Sequence, residues 1–456
     1  MLSTKFTFTK RQAAPRIKSI VTFFVLSLSI VLLSLLSVQA NAQTDEAKLE
    51  RALYNLPNVT FQKISAPKDP YLKYSLMIKQ PLDHQHPENG FFYQYAILQH
   101  RGFSNSTIMN TNGYWIDTRI TELTPMFDAN ELSIEYRFFG KSIPDTIPWK
   151  YLTIEQATAD LHYINTLFRE IYKGKWISTG ISKGGETTIY YKYYYPGDVD
   201  LAIPYVAPLD NALEDKRIYH FFDTVGTADC RNKLLQFQVF LLQHEKEAVE
   251  KLKWYSVGKN IHFNYTGSIG KSFEYSVLEY PFSFWQYHGN CDSIPTNKDL
   301  DSYLTSLLKI SDIESFSDEG IERFTAHYYQ AATQSGYYGY NIAPLKKYLR
   351  HFSENPSAIF PPKNIALPQY DPGLNESVSN WLDEKGNDII YIYGSLDTWT
   401  AAGIIVSDKV NSKRFIVPNG THATARVRNM PPEMQQQFAQ KVKEITGEQI
   451  QINNRF

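Results

Sequence analysis

Ser182, Asp397 and His422 are the side chains of this sequence whose types and order could do covalent chemistry. Ser182 lies in Gly180-Ile181-Ser182-Lys183-Gly184-Gly185, a G-x-S-x-G pattern that follows the apolar pair Trp176-Ile177 and precedes a tyrosine-rich stretch from Ile189 to Tyr195. A serine hydroxyl is a weak nucleophile at neutral pH. It needs a base to take its proton, and the base needs an anion behind it to fix its tautomer. Asp397 follows the β-rich run Asp388 to Tyr393, and His422 follows the run Arg414 to Val417, so acid and histidine trail the serine in the required order. Other histidines, among them His84, His162 and His327, follow no late strand. The plain alternatives are a loop serine, a helix N-cap at Asp397 and a surface-loop histidine at His422.

The chemistry implied is acyl transfer: attack by Ser182 on a carbonyl, proton transfer through His422, and orientation of His422 by Asp397. An oxyanion would need backbone donors. The N–H of Lys183 is one candidate and that of Tyr114 the other, because Thr111-Asn112-Gly113-Tyr114-Trp115 forms a glycine loop directly after the strand Ser106 to Asn110. The Lys183 side chain is expected to pack or pair away from the line of attack.

These residues need a sheet to hold them. Apolar runs at Tyr74 to Gln80 and Phe91 to Gln99 read as an opening antiparallel pair after a polar linker, and Leu132 to Phe138 and Leu201 to Ala207 read as further strands. Ala157, Leu161, Ile164, Phe168 and Ile171 recur at three or four residues and predict a helix. Such alternation predicts an α/β fold with a mostly parallel sheet covered on both faces. It lapses between about residues 211 and 368, where Leu234 to Leu252 and Ile321 to Thr333 read as helices, and a helical cap insertion is expected there. The hydrolase core then comprises residues 43–210 and 369–456, closed by a helix from Pro432 to Thr446.

The first 42 residues differ from the rest. A basic lead with Lys5, Lys10, Arg11, Arg16 and Lys18 precedes an apolar run from Ile20 to Val38 and then Ala40-Asn41-Ala42. This predicts a secretory signal cut before Gln43, with an uncleaved membrane anchor as the alternative, and export to the periplasm or the exterior. Cys230 and Cys291 are the only cysteines, and an oxidising compartment would let them pair; two buried thiols are the other reading. No cysteine or histidine spacing suggests a metal, and no cofactor is expected. A net charge of −1 gives no electrostatic reason to expect a nucleic-acid partner.

Several stretches together resemble peptidase family S37, the secreted prolyl tripeptidyl aminopeptidase type, and more distantly the prolylcarboxypeptidase and dipeptidyl peptidase II family. They are Gln80-Pro81-Leu82-Asp83-His84, Thr111 to Tyr114, Glu135-Tyr136-Arg137-Phe138-Phe139-Gly140-Lys141-Ser142, Tyr151 to Ala157 with Asp160, Gly180 to Gly185, and Tyr205-Val206-Ala207-Pro208. The distant family reads Glu-His-Arg where Tyr136 stands here, which favours S37. The resemblance implies an α/β-hydrolase with a helical cap that releases short, proline-related peptides, tripeptides foremost, from free polypeptide N-termini. Glu135 and Arg137 would then be buried and paired at the base of the site, and acidic cap residues should meet the substrate's ammonium. An esterase or lipase on the same fold, and a silent peptide-binding relative, are the alternatives.

Overall fold

A computed structural model describes residues 45–66 and 69–452. The expected leader over residues 1–42 lies outside them. The chain divides into a unit ending at Leu56, described as a helix over residues 45–55, and a large unit from Pro57 onward. Among the described residues no helix is long and apolar enough to cross a membrane.

The large unit is built on one nine-stranded sheet of order β1-β2-β3-β5-β4-β6-β7-β8-β9. Its strands are β1 (Val59–Lys63), β2 (Leu72–Pro81), β3 (Phe91–His100), β4 (Thr107–Thr111), β5 (Asn130–Ile134), β6 (Trp176–Ile181), β7 (Leu201–Tyr205), β8 (Ile390–Gly394) and β9 (Lys413–Val417). β1, β2, β3 and β5 pair antiparallel, and every pairing from β5 through β4 to β9 is parallel. This is the topology of an α/β-hydrolase, as expected.

The sequences of the strands account for the two halves. In β2, Tyr74, Leu76, Ile78 and Gln80 are buried and alternate with partly exposed residues, as in a sheet with one solvated face. β7 and β8 are buried at every position, as parallel strands covered on both sides must be. Leu201, Ile203, Ile390 and Ile392 pack with Phe438 and Val442 of the terminal helix Pro432–Thr446. Ala202, Ile389, Tyr391 and Tyr393 face the other way, against Ile189, Val378 and Leu382.

Four local expectations change. The polar linker before Tyr74 contains β1, which pairs with β2 at the sheet edge and is too exposed to carry an apolar signal. The strand expected at Leu132 to Phe138 runs instead from Asn130 to Ile134. There the backbone leaves the sheet, because the Glu135 carboxylate accepts the Ser142 N–H and hydroxyl, both at 2.8 Å, and Phe138 turns with φ 68°. Leu234 to Leu252 is two helices, α3 (Ala228–Gln243) and α4 (Glu245–Lys259), split at His244, whose ring Nδ1 lies 2.8 Å from the Phe240 carbonyl. Ile321 to Thr333 is broken at Phe324 into short helices, the second of them Thr325–Gln330, and widens into a π-helical turn at Ala331–Ser335.

Two further helices matter for the site. α1 (Ile154–Arg169) starts at an N-cap where the Thr153 hydroxyl accepts the Gln156 N–H, and α2 (Lys183–Tyr194) starts directly at Ser182 and is buried along most of its length. Between β7 and β8 the chain passes through α3, α4 and α5 (Ile269–Ser283), whose Phe237, Leu241, Phe273 and Tyr280 share one apolar cluster. Cys230 and Cys291 are joined in a disulfide with Cα atoms 5.4 Å apart, tying α3 to the loop beyond α5.

Candidate active site

Ser182 occupies the turn between β6 and α2 with φ 59° and ψ −126°, a conformation rare for any residue with a Cβ and costing on the order of 1–3 kcal/mol. The crossing of strand and helix leaves no room for side chains around it. A Cβ on Gly180 would sit 2.2 Å from the Gly184 carbonyl oxygen. Glycine is therefore compulsory there. The strain is held by a hydrogen bond from the Ser182 N–H to the Tyr205 carbonyl of β7 at 3.0 Å.

Asp397 and His422 lie beyond the ends of β8 and β9 and meet at 2.8 Å, Asp397 Oδ2 to His422 Nδ1. Both are buried, and the Trp399 N–H donates to the other carboxylate oxygen at 3.3 Å. With Nδ1 committed to the carboxylate, Nε2 is the nitrogen free to exchange a proton. The His422 N–H donates to the Gln286 carbonyl at 2.7 Å, so the histidine loop is fastened to the π-helical turn Phe284–His288 that follows α5. Tyr287 of that turn stands edge-on to the imidazole at 5.8 Å between ring centres.

Ser182 and His422 both line a cavity of about 710 Å³. No hydrogen bond joins the serine hydroxyl to the imidazole among the described residues, a contact that commonly tightens only when substrate binds. The loop carrying Tyr114 presses against the elbow: a Cβ on Gly113 would lie 2.5 Å from Lys183 Cβ. The Lys183 and Tyr114 N–H groups find no acceptor among the described residues and stand on the two segments that flank the elbow. Two free donors flanking a serine suit an oxyanion.

The Lys183 side chain turns away into the protein. Its Nζ donates to Gln330 Oε1 at 2.9 Å and lies 4.6 Å from the centre of the Tyr136 ring, while Gln330 Nε2 donates to the Tyr136 hydroxyl at 2.8 Å. Burial lowers the ammonium's pKa, against the opposing pull of Glu186. Tyr136, the residue that departs from the Glu-His-Arg pattern, is thus a neighbour of the elbow lysine.

Glu135 and Arg137 are buried but do not pair with each other. Glu135 holds Ser142, whereas Arg137 grips Asp160 of α1 through Nε at 2.7 Å and Nη2 at 2.6 Å. His84 Nε2 reaches the same carboxylate at 2.8 Å, and Gln156 joins Asp83 and the His84 N–H. Three of the stretches that carried the resemblance, those around Asp83, Arg137 and Asp160, are therefore joined in a scaffold off the cavity wall, and the other three contribute residues to that wall.

The resemblance implies acidic cap residues facing the serine, but the sequence does not say which residues these are, and two of the three buried acids lie outside the expected cap span. Glu186, Asp210 and Glu279 are buried and line the cavity with Ser182. Burial pushes Glu186 up to about 7 despite Lys183, and raises Asp210, whose Oδ1 has no hydrogen-bond partner, well above the usual carboxylate range. Glu186 lies next to the serine motif and could have been noticed; nothing in the sequence around Glu279 marks it. His327, also buried on the cavity wall, has both ring nitrogens unpartnered and is held neutral mainly by burial. Around these groups stand Tyr114, Tyr287, Phe324, Tyr328, Tyr337 and Trp399, an aromatic wall suited to a peptide's rings and stem atoms.

A family model described as PS-10 peptidase S37 matches residues 45–451. A prolyl tri/tetrapeptidyl aminopeptidase of Streptomyces mobaraensis is 32% identical over 397 residues, covering 84% of this chain and 82% of that protein. A prolyl carboxy peptidase like protein 5 of Caenorhabditis elegans is 27% identical over 197 residues, 38% of this chain and 37% of that one. Among solved structures, a proline iminopeptidase of Mycobacterium smegmatis aligns with a TM-score of 0.43 at 13% identity, over 81% of this chain and 98% of its own.

Proposed function

The chain belongs to peptidase family S37 and is a serine peptidase on the α/β-hydrolase fold, and we propose that it is an exported exopeptidase releasing short, proline-related peptides, tripeptides foremost, from free N-termini. The observation that carries this reading is the strained Ser182 facing the same cavity as a histidine already paired to a buried aspartate.

In the proposed cycle, Ser182 Oγ attacks the scissile carbonyl while its proton passes to His422 Nε2. Asp397 holds the imidazole through Nδ1 and stabilises the imidazolium. The tetrahedral oxyanion lies against the N–H groups of Lys183 and Tyr114. Collapse breaks the carbon–nitrogen bond, His422 gives its proton to the leaving amine, and water then cleaves the acyl-enzyme by the same route. Residues 211–368 serve as a cap that closes the cavity, and buried acids on its wall favour a substrate bearing a cation. Export is supported by the leader pattern in the first 42 residues and by the joined cysteines.

Labelling by a fluorophosphonate, lost in Ser182→Ala, tests the nucleophile. Hydrolysis of proline-containing peptides with free and acetylated N-termini tests the direction of attack. Equal rates on both would remove the aminopeptidase reading.

A further inference from the structure

Of the three buried carboxyls on the cavity wall, two already have a positive neighbour. Lys183 acts on Glu186, and Arg217, whose guanidinium is bound to Asp215, acts more weakly on Asp210. Glu279 has no cation within ion-pair reach among the described residues. Its partners are three hydroxyls: Ser283 donates to Oε1 at 2.8 Å, and Tyr338 and Tyr340 donate to Oε2 at 2.9 Å and 2.8 Å. Three donors orient a carboxylate and solvate it in part, but they bring no charge. Burial correspondingly pushes Glu279 up to about 7, so a bound cation would recover what desolvation costs.

We propose that Glu279 is the seat of the substrate's α-ammonium, held ready by Ser283, Tyr338 and Tyr340. This rests on the reading that the protein works from free N-termini. Glu279 lines the serine's cavity, and its charge acts on Tyr328, Tyr337 and Tyr287 of the same wall. Those rings add cation–π attraction.

The test uses the full-length protein with an Ala-Ala-Pro anilide, N-terminally free or acetylated. Glu279→Gln should lower kcat/KM on the free peptide roughly 100-fold, chiefly through KM, and leave the acetylated peptide's rate within about twofold. Glu279→Asp, which keeps the charge but withdraws it by one methylene, should lose about tenfold on the free peptide alone. Fluorophosphonate labelling at the wild-type rate establishes that each variant is folded. A variant pair that discriminates free from acetylated peptide as well as wild type does would overturn the seat while leaving the aminopeptidase reading intact. A wild type that does not discriminate overturns both.

Discussion

Arg137 and Asp160 form a bidentate ion pair with neither side chain exposed, and His84, in the loop after β2, closes on the same carboxylate. Arg137 also donates to the Tyr151 carbonyl at 2.6 Å and the Leu82 carbonyl at 3.2 Å. Removing the guanidinium leaves a buried charge and two carbonyls without their donor. Arg137→Ala should therefore lower the unfolding free energy by about 3–5 kcal/mol, read from urea denaturation. Because the pair lies off the cavity wall, the folded fraction should keep near-normal kcat.

Gly113 meets Lys183 more closely than any other residue type allows. Gly113→Ala should push the loop bearing the Tyr114 N–H off the elbow. The expected result is a fall in kcat of about 100-fold with little change in KM, the pattern of a donor used only in the transition state. Steady-state kinetics on a free tripeptide anilide check it.

His422→Ala should abolish turnover, and Asp397→Asn should reduce kcat by roughly 10³–10⁴-fold, because the amide favours the wrong imidazole tautomer while elbow and oxyanion donors survive. Near-wild-type labelling and turnover in Asp397→Asn would contradict the assigned pairing of Asp397 Oδ2 with His422 Nδ1.

Glu279 supplies a pH signature of the free protein. Its folded value of about 7 lies above the ordinary 4.5, so between these the folded state binds the proton more tightly than the unfolded one. Stability must then fall as pH rises through that window, with the loss complete above about 7 and amounting to at most about 3 kcal/mol. Denaturation of Glu279→Gln at pH 5 and pH 8 should show a flatter profile than wild type.

The elements that bear the proposed triad could be read directly because each is a short apolar strand followed by small or polar turn residues, as at Ser182, Ser395 and Asn419. The sheet is a repeating local pattern. The cavity wall is not: Glu279 meets Tyr338 and Tyr340, and Lys183 meets Gln330, through contacts between segments far apart in the chain. A buried acid surrounded by hydroxyls leaves no periodic trace. The Glu135 to Ser142 stretch misled for a related reason, since its aromatic residues suit a strand but pack with Leu152 and Tyr329 after the backbone has turned out of the sheet.

The hydrogen bond from the His422 N–H to the Gln286 carbonyl couples two distant parts of the polypeptide. Five residues beyond Gln286, Cys291 is bolted to Cys230 at the start of α3, so the turn is clamped at its far end as well. The arrangement works as an interlock. Displacing that turn would break the hydrogen bond that fastens the loop bearing the imidazole.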